Sequence, residues 1–187
     1  MSRPPNLLFL FSDQHAQRVC GCYGDALGPT PHLDALAARG VTFDNAYCPS
    51  PICVPSRMSM LTARHPSAQA CWTNDDHLAT DAPTMAHSLG AAGYAPVLVG
   101  RMHAVGPDQL RGYTRRTVGD HSPNWAGAAR RDMGALQNTH DPHGVSVVRS
   151  GYGQSAYEVK DEATLASALG ELAALGERRR RGEDAPF

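Results

Sequence analysis

The sequence predicts an α/β fold: a mainly parallel sheet flanked by helices. Over residues 6–100, runs that suit strands alternate with helix-length stretches in the order β-α-β-α-α-β. Such alternation favours parallel strands joined by crossover helices. The opening run, Asn6-Leu7-Leu8-Phe9-Leu10-Phe11-Ser12, is apolar without alternation, as a strand covered on both faces reads. Polar residues follow directly on the strand-like runs, where open α/β sheets gather their ligands.

The first run ends at Asp13-Gln14-His15, which places the Asp13 carboxylate at a strand tip. Residues 20–28 read as loop. The stretch 30–40 is a punctuated helix, with Thr30 as cap, Pro31 in the first turn and Gly40 at the close. Leu33, Leu36 and Ala37 form its inward stripe. Residues 41–47, Val41 to Tyr47, alternate like a second strand and lead into the loop that carries Cys53. Pro55 suits the first turn of a helix that starts just after Cys53 and reaches about Thr62. Residues 63–83 are mostly loop, with Trp72-Thr73-Asn74-Asp75-Asp76 among them. A helix over 82–93 turns Met85, Leu89 and Ala92 inward. The strand over 94–100 has Pro96 near its start, where a missing N–H is tolerated, and ends at Arg101-Met102-His103. Residues 104–153 are rich in Gly, Pro and His. They read as loops and short elements over the same rim, in part ordered, because a structureless loop of that length is uncommon. A last helix spans 161–181. Leu165, Leu169, Leu172 and Leu175 are its stripe, with acid at its start and Arg178 to Arg181 at its end, as the helix dipole favours.

The 187 residues suffice for one domain with a core. A formal net charge of -1 argues against nucleic-acid binding by bulk electrostatics. The apolar run Leu7 to Phe11 is too short for a membrane span or a signal core. The expectation is a cytoplasmic protein with no membrane partner. Five cysteines are an odd count without the look of a disulfide framework, so reduced thiols are expected. Cys20-Gly21-Cys22, near His15 and His32, lacks the usual zinc spacing.

The chemistry gathers around Pro51-Ile52-Cys53-Val54-Pro55-Ser56-Arg57 and its continuation Met58-Ser59-Met60-Leu61-Thr62-Ala63-Arg64. A helix that opens beside Cys53 aims unpaired N–H groups and a partial positive charge at it. Arg57 lies one turn further on. Such a corner suits a tetrahedral anion such as sulfate or phosphate. Asp13 offers a hard oxygen of the kind that Ca²⁺ or Mn²⁺ takes.

This stretch resembles the signature of the sulfatases, members of the alkaline-phosphatase-like hydrolases: Cys-x-Pro-Ser-Arg followed by Leu-Thr-Gly-Arg. Cys53, Pro55, Ser56, Arg57, Leu61, Thr62 and Arg64 match, and Ala63 replaces a Gly. The resemblance implies an alkaline-phosphatase-like fold. It also implies that Cys53 is oxidised to formylglycine by a formylglycine-generating or sulfatase-maturing enzyme. One hydroxyl of the hydrated aldehyde would attack sulfur, and sulfate would leave as the aldehyde re-forms. Asp13 matches a metal ligand, and oxidised Cys53 would touch the same cation. Gln14 stands where many sulfatases have a second Asp, and the pair resembles the choline-sulfatase and phosphonate-monoester-hydrolase branch. Arg57 would hold the formylglycine and its anion, and Asn74 matches a substrate-contacting Asn of that branch. Gly100-Arg101-Met102-His103 matches Gly-Lys-x-His, with Arg101 in place of Lys and His103 as partner of the nucleophile or acid/base.

The resemblance covers the chain but only the front portion of the family's domain, so residues 1–187 read as a truncated sulfatase. The later Asp-His or Asp-Asn ligand pair is not found. Gly119-Asp120-His121 imitates it, but it follows Arg115-Arg116-Thr117-Val118 rather than an apolar strand, and is set aside. The expected substrate is a small sulfate monoester. Hydrolysis of phosphonate or phosphate esters is the alternative within the superfamily. An inactive fragment that only binds an anion or a partner is the reading from outside it. Copies of the chain could associate.

Overall fold

The apolar residues collect around one ten-residue helix that begins at Cys53. The structure is a computed structural model and describes residues 4–120, 153–183 and 185–187. It divides into two units, Leu8–Cys48 and the rest of the chain.

In the Leu8–Cys48 unit, two short 3₁₀ turns, Gln17–Val19 and Gly21–Tyr23, precede helix α1, Pro31–Ala37. Thr30 stands at the N-cap, but its hydroxyl does not close the helix end. It accepts from the Gly21 amide at 2.8 Å and donates to Asp34 Oδ1 at 2.9 Å. Asp34 Oδ1 in turn accepts from the Cys22 amide at 2.7 Å. Cys20 Sγ lies 3.3 Å from His15 Nε2. The strands read over 6–12 and 41–47 do not form, and Leu7 to Phe11, Val41 and Phe43 are exposed. Leu33 and Leu36 are exposed as well, so the inward stripe of α1 is not buried. A strand needs a neighbour to take its N–H and C=O groups, and a unit this short buries little of its own surface.

In the second unit, α2 spans Cys53–Thr62, the extent read from the sequence to within a residue. Val54, Met58 and Leu61 share one face at helical spacing and are fully buried. They pack with Cys71, Leu78, Leu98 and Met102, and Met85, Val105 and Tyr113 close the edges. α2 ends at Ala63, whose backbone is left-handed at φ 55°. The short α3, Pro66–Gln69, follows. α4 is Met85–Ala91, shorter than the helix read over 82–93, because Thr84 and His87 form a reciprocal capping box at its start. Ala86 is its buried residue, Met85 and Leu89 are half-buried, and Ala92 is exposed.

Strand β1, Val97–Leu98, begins after Pro96 and pairs in parallel with β2, Arg115–Arg116. Among the described residues these two form the sheet. Flanking bonds extend the ladder, from the Thr114 amide to the Pro96 carbonyl at 2.9 Å and from the Gly100 amide to the Val118 carbonyl at 2.9 Å. The stretch before Gly119, read as lacking an apolar strand, therefore does contain a short strand, held by its backbone rather than by apolar side chains. Arg111, buried and left-handed, ties the intervening loop by donating to the Ala79 and Val105 carbonyls at 3.1 and 3.2 Å.

Helix α5 runs Ala156–Arg180, starting five residues before the reading of 161–181. Its start is a second capping box, Ser155 with Glu158. The buried face is Ala156 and Lys160, continued by the half-buried Thr164 and Ser167, whereas Leu165 and Leu169 are exposed. Leu165, Leu169 and Leu172 are thus turned away from the packed side, and Leu175 is half-buried. Ser167 donates to Thr117 Oγ1 at 2.8 Å, and Glu171 pairs with Arg115. Polar contacts to the β2 segment, rather than leucines, set the rotation of this helix. Most of the stretch read as rim loops, residues 121–152 with His121 and Trp125, lies outside the described residues. Among the described residues no helix is long and apolar enough to cross a membrane.

Candidate active site

Cys53 is the first residue of α2 and is partly exposed. The N-cap is Ile52, extended at φ -115° and unable to cap with its side chain. The first-turn N–H groups, which have no intrahelical partner, therefore need other acceptors. One comes from far along the chain: Asn74 Oδ1 accepts from the Val54 amide at 2.9 Å. Asn74 sits in a loop that Asp76 folds. The Asp76 carboxylate takes the Trp72 and Thr73 amides, each at 2.7 Å, and the Thr73 hydroxyl at 3.1 Å. Those backbone donors, foremost the Trp72 amide, hold the Asp76 carboxyl below the ordinary carboxylate range.

Arg57, one turn into α2, is buried and donates from Nη1 to the Arg101 carbonyl at 3.0 Å. This bond ties the motif helix to the segment after β1. Arg101 Nη2 stands 2.8 Å from His103 Nδ1. A guanidinium has no acceptor, so Nδ1 receives the bond and neutral His103 carries its proton on Nε2. His103 holds a left-handed backbone at φ 57°, a conformation that costs about 1–2 kcal/mol for a residue with a Cβ and persists where the surroundings enforce it.

Asp120 does part of that enforcing. Its Oδ1 accepts from the His103 amide at 3.3 Å and lies 3.8 Å from Arg101 Nε. Its Oδ2 accepts from Arg116 Nη2 at 2.5 Å. Arg116 also reaches the Gly100 carbonyl from Nε at 3.3 Å and from Nη2 at 3.1 Å, and Gln109 Oε1 at 3.0 Å. Lys160 is buried on the α5 face beside this group. Desolvation lowers its pKa, Asp161 and Asp120 oppose that, and Arg101 and Arg116 add to it. Arg116 and Lys160 were not singled out in the sequence, and Asp120 was weighed there within Gly119-Asp120-His121 and set aside. The local signal for the Arg116–Asp120 pairing is the four-residue step between them. A buried lysine has no signal, since burial of a charge is unfavourable on average.

Cys53, Arg57, Asn74, Arg101 and His103 thus belong to one unit, and hydrogen bonds join Arg57, Arg101 and His103 directly. Asp13 and Gln14 belong to the other unit, in an exposed turn where Gln14 has φ 54°. They offer a carboxylate and an amide carbonyl, hard oxygens suited to Ca²⁺ or Mn²⁺. Among the described residues no three His, Cys, Asp or Glu side chains converge on one point. The donor set these residues supply is partial.

The model of the sulfatase family matches residues 5–182. The chain belongs to the sulfatase family. It is 38% identical over 119 residues to a choline-sulfatase of Rhizobium meliloti, covering 64% of this chain and 23% of that relative. It is 36% identical over 115 residues to human arylsulfatase A, covering 58% of this chain and 23% of that enzyme. A solved protein in complex with its substrate, D-glucosamine-2-N,6-O-disulfate, superposes with a TM-score of 0.57 at 30% identity, covering 61% of this chain and 23% of its own. The α/β fold of the alkaline-phosphatase-like class therefore holds. This sulfatase chain spans about a quarter of the length of the relatives it matches.

Proposed function

We propose that the protein hydrolyses small sulfate monoesters, with Cys53 matured to formylglycine and a divalent cation, Ca²⁺ or Mn²⁺, at the site. The observation that carries this reading is the chain of bonds from Arg57 through the Arg101 carbonyl and guanidinium to His103, in the unit that presents Cys53 at a helix start. When formed, formylglycine supplies a hydrated aldehyde whose oxygen can attack sulfur, which a thiol cannot do and still release sulfate.

The residues of this chain have separable tasks. Asn74 fixes the first turn of α2 and so the position of residue 53. Arg57 and Arg101 supply fixed positive charge for the sulfate oxygens, in a setting where water screens little. His103, with Nδ1 engaged by Arg101, can offer its Nε2 proton to the leaving alcohol or to the nucleophile's hydroxyl. Asp13 and the Gln14 carbonyl would hold the cation, with donors outside the described residues completing the set. A cytoplasmic setting and maturation by a formylglycine-generating enzyme belong to the same proposal.

Paired assays test it. The protein, co-produced with a maturing enzyme and supplied with Ca²⁺ or Mn²⁺, is offered an aryl sulfate and an aryl phosphonate ester. Faster turnover of the sulfate, abolished by Cys53→Ala, is the expected result. Faster turnover of the phosphonate would move the assignment to the superfamily alternative that Gln14 marks. No turnover of either, with matured Cys53 and bound metal, would contradict a hydrolase and favour an anion-binding role.

A further inference from the structure

We propose that Asp120, braced by Arg116, is a positioning residue of this site: its carboxylate sets the backbone turn that presents His103 and the direction of the Arg101 guanidinium. The inference rests on the reading of Arg101 and His103 as site residues.

Four observations meet at this carboxylate. Oδ1 bonds the amide of His103, a residue in the left-handed region, so it acts directly on the strained turn. The same oxygen faces Arg101 Nε, the guanidinium nitrogen next to the Nη2 that meets His103 Nδ1. The guanidinium is thus engaged through two of its nitrogens, which restrains its plane relative to the imidazole. Arg116 spends its fork on Asp120, Gly100 and Gln109, so it anchors the carboxylate rather than reaching for a ligand. α5 then shields the group. A Cβ on Gly100 would stand 2.9 Å from Thr164 Cγ2, and the Asp120 side chain is 5% exposed. In such a setting hydrogen bonds of a charged group are strong and their geometry is enforced. The charge balance also suits an anionic substrate. One carboxylate sits among Arg101, Arg116 and Lys160, so it can orient the cations without cancelling them.

The test reads the tautomer of His103 by ¹⁵N NMR of ring-labelled protein, alongside sulfate-ester kinetics. In the unaltered protein Nδ1 reports as an acceptor and Nε2 carries the proton. Asp120→Asn, which keeps the shape and removes the charge, is expected to release Arg101. The His103 signals then shift toward a mixture of tautomers, and kcat falls by about 10²-fold, the scale of a small misplacement of reacting groups. Glu171→Gln cuts the neighbouring Arg115 pair without touching Asp120, and is expected to leave the His103 signals in place. Should Asp120→Asn fail to fold, Arg116→Gln gives the same reading with the carboxylate retained. An unchanged His103 spectrum in Asp120→Asn or in that substitute, or an equal shift in Glu171→Gln, would overturn the proposal. The spectrum does not depend on turnover. An inert protein in which Asp120 still governs His103 would refute the sulfatase reaction and leave the positioning role standing.

Discussion

Asn74 stands 20 residues from the amide it caps, and that separation explains why its role is hard to read from the chain alone. The resemblance suggests a substrate contact, and the structure adds a further task, closing the first turn of α2. Asn74→Ala should lower stability by about 0.5–1.5 kcal/mol, the worth of one intramolecular hydrogen bond, read by urea denaturation. Asn74→Asp keeps the accepting oxygen and should restore most of it. Equal losses in both variants would show that the oxygen does not cap the helix. At this scale the motif residues were legible, because their types and spacing are local. Asp120 was not, because its value depends on a β2 partner strand that has no apolar signature.

The helices show both the reach and the limit of local pattern. α2 was legible because Pro55 marks its start, and Val54, Met58 and Leu61 repeat at helical spacing over the core. Its end departs from what backbone sterics favour. Ala63 is left-handed where glycine is the usual solution. Ala63→Gly should therefore stabilise the protein by about 0.5–1 kcal/mol, net of the entropy that glycine adds to the unfolded chain. A thermal melt checks this, and an unchanged or lower midpoint would contradict it. α5 shows the opposite case. Its four leucines gave a clear stripe, yet Leu165 and Leu169 face out while Lys160, Thr164 and Ser167 face in. Hydrogen bonds and an ion pair to the β2 segment decided the face, and hydrophobic periodicity cannot foresee those. The start of α5 was legible in principle, since Ser155-Ala156-Tyr157-Glu158 has the capping-box spacing.

For the whole molecule, the order of elements gave the fold class, and family membership agrees with it. The strands read over 6–12 and 41–47 are the exception, since apolar pattern supplies side chains but not a pairing partner. Burial of Lys160 sets a signature in global stability. Its pKa is lowered, chiefly by desolvation. Between that lowered value and the ordinary lysine value near 10.4, the unfolded chain binds the extra proton, so stability rises with pH across this alkaline window. Below the window, the cost of the buried ammonium is fully present. Lys160→Met should remove this rise, measured as denaturation midpoints at stepped pH. A slope that survives the substitution would show that another group carries it.

The central claim is that Cys53 is a nucleophile in waiting. Peptide mass spectrometry of the protein co-produced with a formylglycine-generating enzyme tests it most directly. The account predicts that the Cys53 peptide loses about 18 mass units, sulfur and two hydrogens giving way to one oxygen, and that it becomes reactive to a hydroxylamine tag. Cys20, Cys22, Cys48 and Cys71 should stay as thiols. A Cys53 peptide that keeps its thiol mass and resists the tag would contradict it.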